Sequence, residues 1–181
     1  MQTRPSRREA LLEAAARIVR RDGYEALSLD AVAAEAGLSK GGLLYHFPSK
    51  EALVAALVEQ LVESFETAHA DAAAAGPPGP GAWSRAYVRA TLDRPGEEDA
   101  VSVAILAAVA MNPALLQPLR QRYSAWNEAL RRDGLPGVDA WVVRLAVDGL
   151  WLSDLLGFEP PTGKIRSRVV ARLLELAGGQ P

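Results

Sequence analysis

The chain has 181 residues, 49% hydrophobic and 23% charged, with a formal net charge of −2. That length holds one sizeable domain or two small ones, and the net charge alone points to no polyanionic partner. There is no cysteine, which excludes disulfides, thiolate catalysis and cysteine metal sites and suits a reducing cytoplasm.

Charge is unevenly placed. Residues 1–50 carry eight Lys/Arg against six Asp/Glu, whereas residues 51–181 carry twelve against sixteen. The basic N-terminus is amphipathic, with charges through its apolar part, and does not read as a secretory signal. No apolar run approaches the roughly 18 residues of a membrane span, so no membrane partner is expected.

Almost every periodic segment reads as helix. The first runs from Ser6 to Asp22, with Leu11, Leu12, Ala15, Ile18 and Val19 as its apolar stripe, and Gly23 stops it. Ser28 suits an N-cap, Val32, Ala33 and Ala36 form a small apolar face, and Gly37 suits a C-cap. Ser39 starts a further helix, Lys40 to Phe47, one short turn later. Two helices joined through such a turn form a helix-turn-helix unit. Gly41 and Gly42 are poor helix formers, and their bareness suits close approach to the major groove. Lys40 is the leading candidate for a base or phosphate contact. Ser39 and the neighbouring backbone N–H groups suit a phosphate. Leu43 is expected to anchor this helix to the core, as is Phe47.

Pro48 and Ser49 open a helix from Lys50 to about Ala74, with Leu53, Leu57, Leu61 and Phe65 on one face. The run Gly76 to Gly81 breaks it. Further helices are expected over Ala82–Leu92, Glu97–Met111, Pro118–Arg132, Val138–Leu156 and Gly163–Ala177. No β pattern is visible, so the fold class is all-α. It comprises an N-terminal three-helix domain, residues 1–49, and a C-terminal helical domain, residues 50–181.

Val138–Leu156 holds 13 apolar residues among 19. Trp141, Leu145, Leu152 and Leu156 lie along one side, while Val143, Val147, Leu150 and Trp151 point elsewhere. A helix apolar on most sides must be buried on most sides. With Ile165, Val169 and Leu173 of the last helix, the surplus face predicts a homodimer through a four-helix bundle. The competing reading is that both helices simply finish one monomer core. Phe65, His69, Trp83, Tyr87, Met111, Tyr123, Trp126 and Trp151 are the candidate lining of a ligand pocket, with core packing as the plainer reading of each. Asn127, Asp154 and Arg89 are candidate polar partners there. Arg144 and Asp148, four apart, read as a helix ion pair.

The stretch GLSKGGLLYHFPSKEALV and the preceding Ser28-x-x-x-Val32-Ala33-x-x-Ala36-Gly37 resemble the DNA-binding signature of the TetR family of bacterial transcriptional regulators. The likeness is specific over roughly the first 60 residues. Leu44 stands where the family pattern often has an aromatic. The resemblance implies a cytoplasmic bacterial repressor that binds a palindromic double-stranded DNA operator as a dimer. Release would come from a small molecule, apolar or aromatic, bound among the C-terminal helices, with no cofactor. It also implies that Tyr45 and His46 approach the DNA backbone, that Lys50 takes a phosphate, and that Ser28 is both cap and phosphate contact. Dimerisation through the last two helices is implied as well. Arg4, Arg7 and Arg8 would form a basic arm toward flanking backbone.

An enzyme is the first competing class. The chain has two histidines, no G-x-S-x-G, no H-E-x-x-H and no phosphate-cradling glycine loop. His69 with Asp71 is too sparse for a metal site. Two further classes compete with a ligand-responsive regulator: an architectural DNA-binding helical protein without a sensor, and a helical protein-interaction module.

Overall fold

A computed structural model describes residues 6–93 and 112–178. The helix expected over Glu97–Met111, with Met111 itself, and Arg4 lie outside the described residues. Those described are helical: α1 Arg7–Asp22, α2 Leu29–Glu35, α3 Lys40–His46, α4 Lys50–Ala75, α5 Ala82–Leu92, α6 Gln117–Arg131, α7 Gly137–Leu156 and α8 Gly163–Leu176. No strand occurs among them. They divide into two compact units, the first holding residues 6–61 and 112–120, the second residues 62–93 and 121–178. The division falls within α4.

Local chemistry explains each boundary in the first unit. Ser6 and Glu9 form a capping box at α1: the Glu9 N–H donates to Ser6 Oγ at 3.2 Å, and the Ser6 N–H donates to Glu9 Oε2 at 2.7 Å. Gly23, at φ +82°, ends α1 while its N–H reaches the Val19 carbonyl. A 3₁₀ turn over Tyr24–Ala26, unsignalled by the sequence pattern, follows. Ser28, Ser39 and Ser49 cap α2, α3 and α4 by accepting from the N–H groups of Ala31, Gly42 and Ala52. Gly37 sits at φ +67° in the turn between α2 and α3. The expected stripe of α1 packs with Leu27, Val32, Leu43, Phe47, Leu53 and Leu57 in one buried core. Arg17 and Arg21 of α1 both reach Glu35 of α2, at 3.1 and 3.2 Å, and these contacts hold its carboxyl below the usual range.

In the second unit α5 packs against α7 and α8. Tyr87, Val88, Val143, Val147, Leu173 and Ala177 are buried together. α6 starts at Gln117, one residue before Pro118, because proline is tolerated in a first helical turn. A 3₁₀ turn over Pro113–Leu116 leads into it.

The start of α5 is held from a distance. Its N-cap is Gly81, in the left-handed conformation with no side chain to cap. Asp133, some fifty residues on, supplies the cap: its two carboxylate oxygens accept from the N–H groups of Trp83 and Ser84, each at 2.8 Å. Its carbonyl accepts from the Gly81 N–H at 2.7 Å. The buried Arg85 guanidinium donates to the carbonyls of Pro77, Pro80 and Ala177, each at 2.8 Å. It thereby ties the loop before α5 to the C-terminal end of α8, where a cation also complements the helix dipole. Asp133→Ala removes two charge-assisted cap bonds. It is expected to cost about 1–2 kcal/mol, read as an earlier denaturant midpoint with an unchanged slope.

Candidate nucleic-acid interface and aromatic cluster

The α2–turn–α3 unit is positioned by its apolar residues. Leu43 and Phe47 are buried in the first unit's core, so the opposite side of α3 faces outward. Tyr45 is 85% exposed. Its ring meets that of His46 edge-on, with centroids 5.1 Å apart. Gly41 opens onto free space, since an added Cβ would meet nothing within 4 Å, whereas at Gly42 it would meet Ser39 Oγ at 3.3 Å. Gly42 therefore serves the Ser39 cap as well as a bare surface.

The cations are partly engaged. Lys40 Nζ lies 2.8 Å from Asp30 Oδ1 and 3.0 Å from Oδ2, a pairing that no sequence spacing signalled because it crosses the turn. Lys50 Nζ sits 4.3 Å from the centroid of the Tyr24 ring. Arg8 lies over Phe47 and 3.8 Å from Glu59. Its side chain is thus held against the body of the unit while about half-exposed. Arg7 is exposed at the first position of α1.

The second unit gathers most of the aromatic residues singled out in the sequence. Phe65 contacts His69, Tyr87 and Trp126, with ring centroids 4.8–6.0 Å apart. Trp83 lies between His69 and Tyr87, at 4.9 and 5.1 Å. Tyr123 packs on Trp126 at 4.9 Å. Trp151 is half-buried and joins none of these ring contacts. It lies seven residues beyond Arg144 on α7, about 10 Å along the axis.

A polar chain runs through the cluster. The Tyr87 hydroxyl donates to Asp148 Oδ1, and Arg144 donates to Asn127 Oδ1. Arg144 also pairs with Asp148 at 3.5 Å, as the four-residue spacing predicted. Its guanidinium lies over Tyr123 and Trp141, 4.8 and 5.1 Å from the ring centroids. Burial pushes the Asp148 carboxyl upward, against the opposing pull of Tyr87 and Arg144. Burial likewise raises the Tyr87 phenol far above its usual range. His69 Nε2 lies 3.1 Å from the Trp83 carbonyl. A carbonyl only accepts, so that nitrogen carries the hydrogen, and burial holds the ring pKa below normal. Asp154 belongs elsewhere: it is bound through both oxygens by Arg166, at 2.7 and 2.8 Å. Arg89 lines a separate groove of about 470 Å³ with Asp71 and Asp93.

The two sides of α7 separate by burial. Val143, Val147 and Leu150 are buried, while Trp141, Leu145, Leu152 and Leu156 are exposed. Leu145 is 60% exposed, and Ile165 of α8 65%. Val169 is half-buried against the core, and Leu173, only 5% exposed, lies within it. Leu173 therefore corrects the expected interface stripe. It is buried in the core of its own chain, together with Tyr87 and Val88 of α5, while Ile165 near the start of α8 stays exposed.

A lysine-led helix presented outward from a serine-capped, three-helix core defines a helix-turn-helix regulator. Residues 11–57 match the family described as bacterial regulatory proteins, tetR family, and residues 81–178 match the tetracyclin repressor-like C-terminal domain. The chain belongs to the TetR family, and is a DNA-binding transcriptional regulator rather than an enzyme. It is similar to the HTH-type transcriptional repressor KstR of Mycolicibacterium smegmatis, 28% identical across 94% of this chain and 84% of that protein. A TetR-family member from Streptomyces coelicolor A3 has a similar structure, with TM-score 0.70 and 27% identity over 93% of this chain and 98% of that one. The multidrug binding protein EbrR, solved with ethidium, matches with TM-score 0.64 and 26% identity over the same shares. Among the described residues no helix is long and apolar enough to cross a membrane, and no acidic or histidine group could hold a metal ion.

Proposed function

We propose that this protein is a ligand-released repressor that binds a palindromic operator as a homodimer. The observation that carries the reading is the outward face of α3: Lys40, Gly41 and Tyr45 stand exposed while Leu43 is fully buried behind them. Ser28, Ser39, Lys40, Tyr45, His46 and Lys50 supply phosphate and base contacts, with Gly41 and Gly42 admitting close approach. The exposed apolar side of α7 with Ile165 is the dimer face, and KstR's designation as a repressor supports the sense of regulation.

The effector site is the aromatic cluster of Phe65, His69, Trp83, Tyr87, Tyr123 and Trp126, and its chemistry favours apolar, aromatic compounds. The ethidium complex of EbrR supports that class. Phe65 and His69 lie on α4, whose first residue is Lys50. Displacing α4 by ligand changes how the reader meets DNA. A coupling of about 1–3 kcal/mol corresponds to roughly 5–150-fold in affinity. A second reading, a DNA-binding protein without a sensor, rests on the rings filling one another's contacts.

A mobility shift with the DNA upstream of the chain's own gene tests the first reading. A specific complex, weakened by compounds that raise the melting temperature, is the expected result. No complex with any upstream duplex rejects DNA binding, and a complex that every stabilising compound tightens rejects release. Lys40→Ala is expected to weaken operator binding. It should also flatten the plot of log affinity against log salt by about one per subunit, because one fewer counterion is released. An unchanged slope removes Lys40 from the contact set.

A further inference from the structure

We infer that Leu44 is a specificity-determining residue of the DNA reader, packing on the C5-methyl of a thymine in each operator half-site. The inference rests on the DNA-binding reading above. Among the described residues of the first unit, the large apolar side chains left exposed are Leu44 and Tyr45, adjacent on α3. Leu43 is 0% and Phe47 2% exposed, whereas Leu44, turned about 100° from Leu43 on the helix, is 38% exposed. Lys40 precedes Leu44 by four residues, so the two share a side of α3. Gly41, three residues before Leu44, opens onto free space, where an added Cβ would meet nothing within 4 Å.

A leucine carries no donor or acceptor, so it cannot hold a phosphate or read a polar base edge. Laid over the polar edge of a guanine–cytosine pair, it would strip water from those groups and return no hydrogen bond. The C5-methyl of thymine is the apolar group that the major groove displays. Burying that methyl against the leucine removes apolar surface of both from water. The contact therefore favours thymine twice, by a gain at the right base and a loss at the wrong ones. A leucine side chain is short, so the helix backbone must come close to the base edges for it to reach. The missing side chain at Gly41, about one turn away on the adjoining side, removes an obstacle to that approach. Lys40, one turn earlier on the leucine's own side, supplies the polar contact. Together they read neighbouring bases, one through its acceptors and one through its methyl.

The test uses the upstream duplex that the wild-type protein shifts, with thymines replaced by uracil one symmetric pair at a time. Uracil lacks only the C5-methyl and keeps the Watson–Crick edge. Wild type and Leu44→Ala are titrated on every duplex across a salt series. One pair of replacements is expected to weaken wild-type binding about tenfold, from roughly three- to fourfold for each buried methyl. Leu44→Ala should bind the parent duplex at least about tenfold more weakly, and should be indifferent to that same pair. Its salt dependence should match that of wild type, because a leucine releases no counterion. Wild-type binding that no uracil pair weakens overturns the inference. So does an equal loss in Leu44→Ala, which would assign the methyl to another side chain. Wild-type protein that shifts no upstream duplex removes the DNA-binding reading itself, and this inference with it. Melting curves serve as the folding control. If alanine lowers the melting temperature, Leu44→Gln, similar in size and a good helix former, takes its place and should be equally blind to the methyl.

Discussion

Leu145→Glu is expected to convert the protein to a folded monomer and to weaken operator binding at least a hundredfold. Leu145 lies midway along the uncovered side of α7, between Trp141 and Leu152, and is 60% exposed in the single chain. An exposed leucine adds nothing to the subunit's own core, so its loss should not unfold it. In an interface the same side chain would contribute about 1.5–3 kcal/mol by burial. A carboxylate there would have to be desolvated without a partner, which costs more than the leucine supplied. Two copies of the change meet across a twofold axis and add like-charge repulsion. Once the subunits separate, each recognition helix binds a half-site alone and loses the high effective concentration that linkage to its partner provides. Sedimentation velocity reads the assembly and a mobility shift reads the binding. A dimer that survives Leu145→Glu moves the interface elsewhere.

Gly81→Ala should be the most damaging single methyl addition to the second unit. An added Cβ would lie 1.9 Å from the Ala177 carbonyl oxygen and 2.8 Å from Arg85 Nη1, with φ at +80°. Backbone at the end of α8 would have to move. That movement breaks the Arg85 bonds to Pro80 and Ala177 and loosens the Asp133 cap. The left-handed conformation alone costs roughly 1 kcal/mol for alanine, and overpacking of this kind typically adds about 1–3 kcal/mol. Gly157→Ala isolates the first part, because Gly157 is also left-handed, at φ +66°, but has nothing within 4 Å of an added Cβ. Thermal unfolding should rank wild type above Gly157→Ala and Gly157→Ala well above Gly81→Ala. Equal losses at the two glycines would mean that the close approach to Ala177 is not a real constraint.

The helices of the first unit are legible in the sequence because their signals are local. Ser6, Ser28, Ser39 and Ser49 each cap within three residues, and Gly23 and Gly37 each act where they stand. Periodicity places Leu11, Ile18, Leu43 and Phe47 inward, and they are buried. It also separates the two sides of α7. What it does not do is assign those sides to one subunit or two, because apolar spacing carries no information about which surface arrives opposite. For that reason periodicity groups Leu173 with Ile165, although one is buried and the other exposed.

Among the aromatics, residue type alone names the candidates. The structure joins Phe65, His69, Trp83, Tyr87, Tyr123 and Trp126 and leaves Trp151 outside the ring contacts. The Arg144–Asp148 pair is readable at four-residue spacing. Its extension to Tyr87 and Asn127 is not, since those partners come from other helices.

By itself the amino-acid order determined the all-helical architecture, the helix-turn-helix and the identity of the leading lysine. These depend on signals between residues roughly three or four apart, which caps, glycines and hydrophobic period encode directly. Only the tertiary structure decided that Lys40 is held by Asp30, that Asp133 caps a helix some fifty residues earlier, and that Arg85 clips two distant segments together. Such partners are set by how helices pack, and packing brings together side chains whose separation along the chain predicts nothing.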